Sequence, residues 1–272
     1  MTTAFVLGGG GVLGAVEAGM LRALLEAGVR PDLVVGTSVG AVNGAHFAGD
    51  PTLDGVARLG RLWRELSGGE VFGGSLLARA RTALRTGTSL HSSEPLRRLL
   101  EDHLPHARFE DLVVPFQCVA AEIEAAREHW FDRGPLVPAV LASCAVPGLL
   151  PPAEVDGRHF LDGGLVHSIP VGRAVALGAR TVYVLQVGRI ERDLTPPTRP
   201  WQVATVAFEI ARRHRFAQDL AELPEGVAVH VLPTGDASPG LREDLRYRDT
   251  SRVAARVETA YATSSAYLAA QA

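Results

Sequence analysis

Residues 4–48 run twice through one pattern: a short apolar run, an abrupt glycine-framed turn, then apolar residues at helical spacing. The first run is Ala4 to Leu7, and its turn holds Gly9-Gly10-Gly11-Val12-Leu13-Gly14. Val16, Met20, Leu24 and Leu25 then recur with a helical period that Gly28 ends. Pro31-Asp32 opens the second run, Leu33 to Val35, which stops at Gly36-Thr37-Ser38-Val39-Gly40 before a helix over Val39 to Ala48. Strands joined through helices pair in parallel, because the chain must cross back before it can pair again. The pattern therefore predicts an α/β fold with a parallel sheet whose functional turns share one edge.

The remainder continues this alternation. Residues 52–66 read as an amphipathic helix through Leu53, Val56, Leu59, Leu62, Trp63 and Leu66. Between residues 68 and 93 the composition shifts to glycine, serine, threonine and arginine, with a helix over Leu76 to Arg85, and this stretch is expected to form a mobile cover near the site. Ser92-Ser93-Glu94-Pro95 reads as a helix start. Phe116 to Ile123 and Glu128 to Phe131 read as strands, and Leu136 to Ser143 as a helix. Asp156-Gly157 marks a hairpin whose return arm, Phe160-Leu161, leads into Asp162. Helices and strands alternate over Val171 to Leu177, Thr181 to Val187, Trp201 to Leu223 and Val227 to Leu232, and Arg252 to Ala270 forms a closing helix. With no repeat and no charged or low-complexity linker, one domain over 1–272 is the economical reading.

Composition excludes several classes of function. The net charge is -3, and all 27 basic residues are arginine, so nucleic acid is not an expected partner. Cys118 and Cys144 lie in apolar stretches and are too few for a disulfide framework, which points to a reducing, cytoplasmic setting. The uncharged start has no basic leader and is interrupted by glycines, so it reads as strand and turn, not as a signal peptide. The uncharged stretch Gly134 to Ala153 contains Pro135, Pro138, Pro147, Pro151 and Pro152, which no membrane-spanning helix would tolerate. Leu76 to Arg85 alternates small apolar groups with arginines and reads mainly as a solvated surface helix, with room for peripheral contact with an anionic membrane. No metal-ligand pattern is present, and neither a metal nor a cofactor is expected.

The chemistry is concentrated in three motifs. Gly36-Thr37-Ser38-Val39-Gly40 has the Gly-x-Ser-x-Gly form of a nucleophile elbow. There, helix N–H groups and the helix dipole favour negative charge. Gly9, Gly10 and Gly11 are suited to bring N–H groups close to a carbonyl oxygen and so line an oxyanion hole. Gly9, Gly11 and Gly14 also satisfy a dinucleotide-binding fingerprint, but the acid that fingerprint wants at the end of the second strand is absent. Asp162-Gly163-Gly164 is the candidate base, with an ordinary turn as the competing reading.

Taken in order, the stretches LGGGGVLG, PDLVVGTSVGAVNG and ASCAVPGLLPPAEVDGRHFLDGGLVHSIPV resemble the patatin-like phospholipase family across most of residues 4 to 187. The resemblance implies a three-layer α/β fold with a mainly parallel central sheet flanked by helices. It makes Ser38 the nucleophile, Asp162 the general base and the Gly9–Gly11 backbone the oxyanion hole. Gly14, Gly36, Gly40, Gly163 and Gly164 support those motifs. Leu13 stands where the family usually carries arginine or lysine, and leucine cannot pair with a phosphodiester. A Ser-Asp-His triad is the alternative, since His214 and His230 follow Asp162, yet His214 lies in an arginine-rich helix and His230 in an apolar strand. His167 is expected to make local hydrogen bonds. The implied activity is hydrolysis of carboxylic esters of lipids or lysophospholipids through an acyl-Ser38 intermediate. An acyltransferase and a catalytically weak lipid-binding regulatory module are the alternatives.

Overall fold

A computed structural model of the chain describes residues 2–67, 91–187, 193–198, 200–235 and 250–271. Strand β1 (Thr3–Leu7) and strand β2 (Leu33–Thr37) pair in parallel, with Ala4 opposite Leu33 and Leu7 opposite Gly36. Both are almost wholly buried, which explains why each reads as a continuous apolar run without polar alternation. Their side chains still alternate between two cores. Phe5, Leu7 and Val34 enter one, while Ala4, Val6, Leu33 and Val35 enter the other.

Those two cores define the layers. One face of the sheet is covered by α1 (Val16–Glu26), α2 (Val39–Gly49), α3 (Leu53–Ser67), α4 (Glu94–His103), α5 (Leu136–Ser143) and α8 (Thr250–Ala269). The opposite face is covered by α6 (Val171–Ala176) and α7 (Pro200–Ala221), which contribute Val171, Ala174 and Phe216. Helix plus sheet plus helix is the three-layer α/β arrangement expected from the sequence. The expected cover over 68–93 lies outside the described residues except for its last three, and the Leu76 to Arg85 helix lies wholly outside them. At its end, the Ser92 hydroxyl accepts the N–H of Glu94 at 3.2 Å and opens α4.

The remaining strands are β3 (Phe116–Glu122), β4 (Arg127–Phe131), β5 (Ala153–Val155), β6 (Arg158–Asp162), β7 (Thr181–Leu185) and β8 (Ala228–Val231). The sheet order is β5-β6-β3-β2-β1-β7-β8, with β4 also paired to β3. From β3 to β8 along this order every pairing is parallel, whereas β4, β5 and β6 add an antiparallel end. The antiparallel end comes from tight turns, including Asp156 and Gly157, whose φ values of 50 and 73° are those of a two-residue hairpin.

One register fixes the position of the site. Residues 118–122 of β3 pair with β4, so β2 and β6 must both use the other edge of β3. Thr37 of β2 stands opposite Val119, and Asp162 of β6 stands opposite the next residue, Ala120. The two strands arrive from opposite directions and stop at neighbouring positions. Ser38 and Asp162 are thereby brought together although 124 residues separate them.

Helix α2 can follow β2 so closely only because both turn glycines lack side chains. A Cβ at Gly40 would run into the Leu7 carbonyl, and one at Gly36 into the Gly40 carbonyl. Gly40→Ala is expected to destabilise the fold by about 1–3 kcal/mol through overpacking against backbone that cannot move aside. Gly60→Ala, in α3 with nothing within 4 Å of the added carbon, is expected to stabilise by up to about 1 kcal/mol. Urea midpoints of the two variants beside the parent check both signs.

Candidate active site

Ser38 sits between β2 and α2 with φ 54° and ψ -124°, a conformation unfavourable for any residue with a Cβ. Its surroundings over-determine it. The Ser38 carbonyl accepts the N–H of Ala41 at 2.8 Å and so starts α2. Its own N–H donates to the Ser143 hydroxyl at 2.9 Å. The preceding Thr37 hydroxyl donates to the carbonyl of His167 at 2.7 Å. The Ser38 side chain consequently projects from the start of a helix, where the dipole favours negative charge.

The Ser38 hydroxyl donates to Asp162 Oδ2 at 2.6 Å. The other carboxylate oxygen, Oδ1, accepts the N–H of Gly164 at 2.7 Å, and the Asp162 N–H donates to the carbonyl of Ala145 at 2.9 Å. Asp162 is 1% exposed and Ser38 8%. Burial pushes the Asp162 carboxyl up to about 6, against the opposing pull of the Ser38 and Gly164 hydrogen bonds. A carboxylate so placed is a stronger base than one in water, and it keeps its charge near neutral pH. Instead of an ordinary β-turn, the chain after Asp162 forms a short 3-10 turn, Gly163–Leu165. A side chain at Gly163 would strike the Val119 carbonyl.

The glycine loop lies against this pair. A Cβ built on Gly9 would stand 3.4 Å from Ser38 Cβ and 3.2 Å from Ser168 Oγ, so the loop closes directly over the serine. Gly9 departs from the expectation in one respect: its N–H already donates to the carbonyl of Ser168 at 2.8 Å. Gly10 turns its bare Cα toward Val187, and Gly11 has φ 58°. Among the described residues no hydrogen bond engages the N–H of Gly10 or Gly11. Leu13 packs against the main core, where its side chain presents no charge.

A buried polar network ties the loop to the helices. Asn43 Nδ2 donates to the carbonyl of Gly14 at 2.9 Å and to Glu17 Oε2 at 2.7 Å, while Trp63 Nε1 donates to Asn43 Oδ1 at 2.9 Å. Glu17 is fully buried, and desolvation holds its carboxyl well above the usual range. In its neutral form it can sit there without a counter-charge.

No histidine side chain bonds to Ser38 or Asp162 among the described residues. The His167 ring is buried with its Nε2 beside Glu128 of β4 and 3.0 Å from the Arg215 guanidinium of α7, so the expected hydrogen bonding is made with distant elements and not locally. His214 is exposed on α7, and His230 stacks on Tyr183 with ring centroids 4.8 Å apart. Cys118 and Cys144 are buried free thiols, and no group of three metal-binding side chains occurs among the described residues. Sequence reading singled out neither Ser143 nor Asn43. Asn43 did leave a signal, as a polar residue one turn after Val39 in a helix whose other residues, His46 apart, are apolar or glycine. Ser143 left none.

The patatin-like phospholipase family model matches residues 5–175. The chain is 34% identical over 195 residues to patatin-like phospholipase domain-containing protein 7 of Rattus norvegicus, a match covering 71% of this chain and 14% of the rat protein. It is 33% identical over 194 residues to lysophospholipase nte1 of Aspergillus terreus, covering 70% of this chain and 12% of that one. The chain thus spans only a small part of the curated relatives it matches. In structure it is similar to VipD from Legionella pneumophila, with a TM-score of 0.53, 14% identity, and coverage of 99% of this chain and 66% of that one. That likeness concerns the fold. With its glycine loop, serine elbow and Asp-Gly-Gly turn all inside the matched region, the chain belongs to the patatin-like phospholipase family.

Proposed function

We propose that the protein is a serine lipid acyl hydrolase that works through a Ser38–Asp162 dyad, within one catalytic unit built on the eight-stranded sheet. The observation that carries this reading is the 2.6 Å bond from a hydroxyl on a left-handed elbow to a buried carboxylate. Ser38 Oγ attacks the ester carbonyl carbon as its proton passes to Asp162 Oδ2. The carbonyl oxygen becomes an oxyanion that the Gly10 and Gly11 N–H groups and the α2 dipole stabilise. Collapse breaks the ester C–O bond, and the departing alcohol takes the proton from Asp162. Water then attacks the acyl-serine, giving its proton to the same oxygen. The second collapse releases the carboxylic acid and returns the proton to Ser38.

Family membership supports a lipid ester as substrate, as does the name of the Aspergillus relative. Leu13 directs the choice within that class. No cation at this position grips a phosphate, so the substrate is a neutral ester, or a lysophospholipid whose head group is held elsewhere. Contact with the lipid surface is peripheral in this reading, and no helix among the described residues is long and apolar enough to cross a membrane.

Fluorophosphonate is expected to label Ser38 in the parent and nothing in Ser38→Ala, read by intact-protein mass spectrometry. Asp162→Asn should lower turnover of a soluble ester by about 10²- to 10⁴-fold, the usual share of a general base. Activity should fall below about pH 6 as Asp162 protonates. An acid limb that survives in Asp162→Asn but disappears on replacing a histidine would sink the dyad. Acyl transfer to an added alcohol with hydrolysis suppressed would recast the enzyme as a transferase.

The same carboxylate sets a stability prediction of opposite sense. Its folded pKa is raised above the ordinary 3.8, so the folded state binds the proton more tightly than the unfolded one. Stability drawn from that proton is present at low pH and is lost as pH rises toward about 6. The loss is about 3 kcal/mol for a shift of this size. Asp162→Asn should therefore melt higher than the parent above pH 6, with the gap narrowing as pH falls, as measured by thermal unfolding across pH.

A further inference from the structure

Two anchors of the dyad come from one short stretch of chain. Ser143, the last residue of α5, is wholly buried, and its hydroxyl accepts the Ser38 N–H at 2.9 Å. Two residues later, the carbonyl of Ala145 accepts the Asp162 N–H at 2.9 Å. The stretch itself is stiff. Leu136, Ala139 and Val140 pack α5 into the core. The turn leaving it is closed by hydrogen bonds from Cys144 N–H to the Val140 carbonyl (3.0 Å), Ala145 to Ala142 (3.3 Å) and Val146 to Cys144 (2.8 Å).

Ser38 needs such an anchor. Its positive φ is unfavourable, and a relaxed elbow would swing Oγ away from Asp162. A buried N–H without an acceptor would add to the cost of the strained conformation. The Ser143 hydroxyl meets both needs with one hydrogen bond, while among the described residues the Asp162 carboxylate is bonded by Ser38 and Gly164.

We infer that Ser143 is a positioning residue for the nucleophile: its hydroxyl holds the Ser38 amide, and through it the Oγ–Asp162 distance, from the turn that also holds the Asp162 backbone. The inference rests on the proposed Ser38–Asp162 reading. It also implies that the Ser38 N–H, spent on Ser143, does not donate to the oxyanion.

Ser143→Ala removes the acceptor, and Ser143→Thr restores the oxygen. In the alanine variant, labelling of Ser38 by fluorophosphonate and kcat for a soluble ester should fall about 10- to 100-fold, with KM unchanged, as for a misplaced reacting group. The threonine variant should recover most of the loss. The acid limb of labelling should move to higher pH in the alanine variant, because the Ser38 hydrogen bond helps to hold the Asp162 carboxyl down. Simple destabilisation would lower the active fraction without moving that limb. Hydrogen exchange at the Ser38 amide, which needs no catalysis, should be slow in the parent and the threonine variant and at least about tenfold faster in the alanine variant. Ser143→Cys, similar in size but a weak acceptor, gives the same readouts where the alanine variant does not fold. Parent-like labelling and parent-like Ser38 protection in Ser143→Ala would overturn the inference. Faster exchange in Ser143→Ala, together with parent-like labelling of Asp162→Asn, would leave the positioning intact and remove the dyad reading.

Discussion

The second edge of β3 carries hydrogen bonds to two strands in succession, first β2 and then β6. Everything at the site depends on this division. β2 must stop at Thr37 for β6 to take over at Ala120, and the residues at that junction are Ser38 and Asp162. Because β2 runs parallel to β3 and β6 runs against it, both strands deliver their carboxyl ends to one point. An open α/β sheet places its site beyond the carboxyl ends of its strands, and here the antiparallel end brings the buried Asp162 carboxylate to that place.

Holding the junction requires several unfavourable features to be offset at once. Ser38 is left-handed, Asp162 is dry and Glu17 is buried. Each is met by short-range bonds from rigid elements: Ser143 and Ala145 at the end of α5, the His167 and Ser168 carbonyls after the Asp-Gly-Gly turn, and Asn43 in the middle of α2. Glycines let these elements approach closely enough. The site is thus preorganised by backbone and small polar groups, with long side chains kept out of the contact between serine and aspartate.

Much of this was legible in the sequence because its signals are local. An apolar run ending at glycine marks β1 and β2, Asp156-Gly157 marks the hairpin, and Gly36 and Gly40 announce a close strand-to-helix passage. The pairing of Ser38 with Asp162 needed the family resemblance, since no periodicity links residues so far apart. What the sequence concealed is non-local in the same way. The bond from the Ser38 N–H to the Ser143 hydroxyl spans 105 residues, and although Ser143 lies in a family-like stretch, nothing in that stretch says what its hydroxyl meets. That Gly9 spends its N–H on Ser168 depends on where the chain after Asp162 comes to lie, which composition does not encode.

The two oxygens of Asp162 are not equivalent. Oδ1 accepts the Gly164 N–H and Oδ2 accepts the Ser38 hydroxyl, so in the proposed dyad Oδ2 is the oxygen that exchanges the proton. Like the imidazole of a catalytic triad, which holds one nitrogen on its orienting acid and uses the other for every proton transfer, this carboxylate offers one atom at one place. In the proposed mechanism the departing alcohol and the incoming water must occupy that place in turn. Product release is then ordered, alcohol before acid, and any second alcohol competes with water for a single berth. The choice between hydrolysis and acyl transfer becomes a matter of which hydroxyl fills the space first.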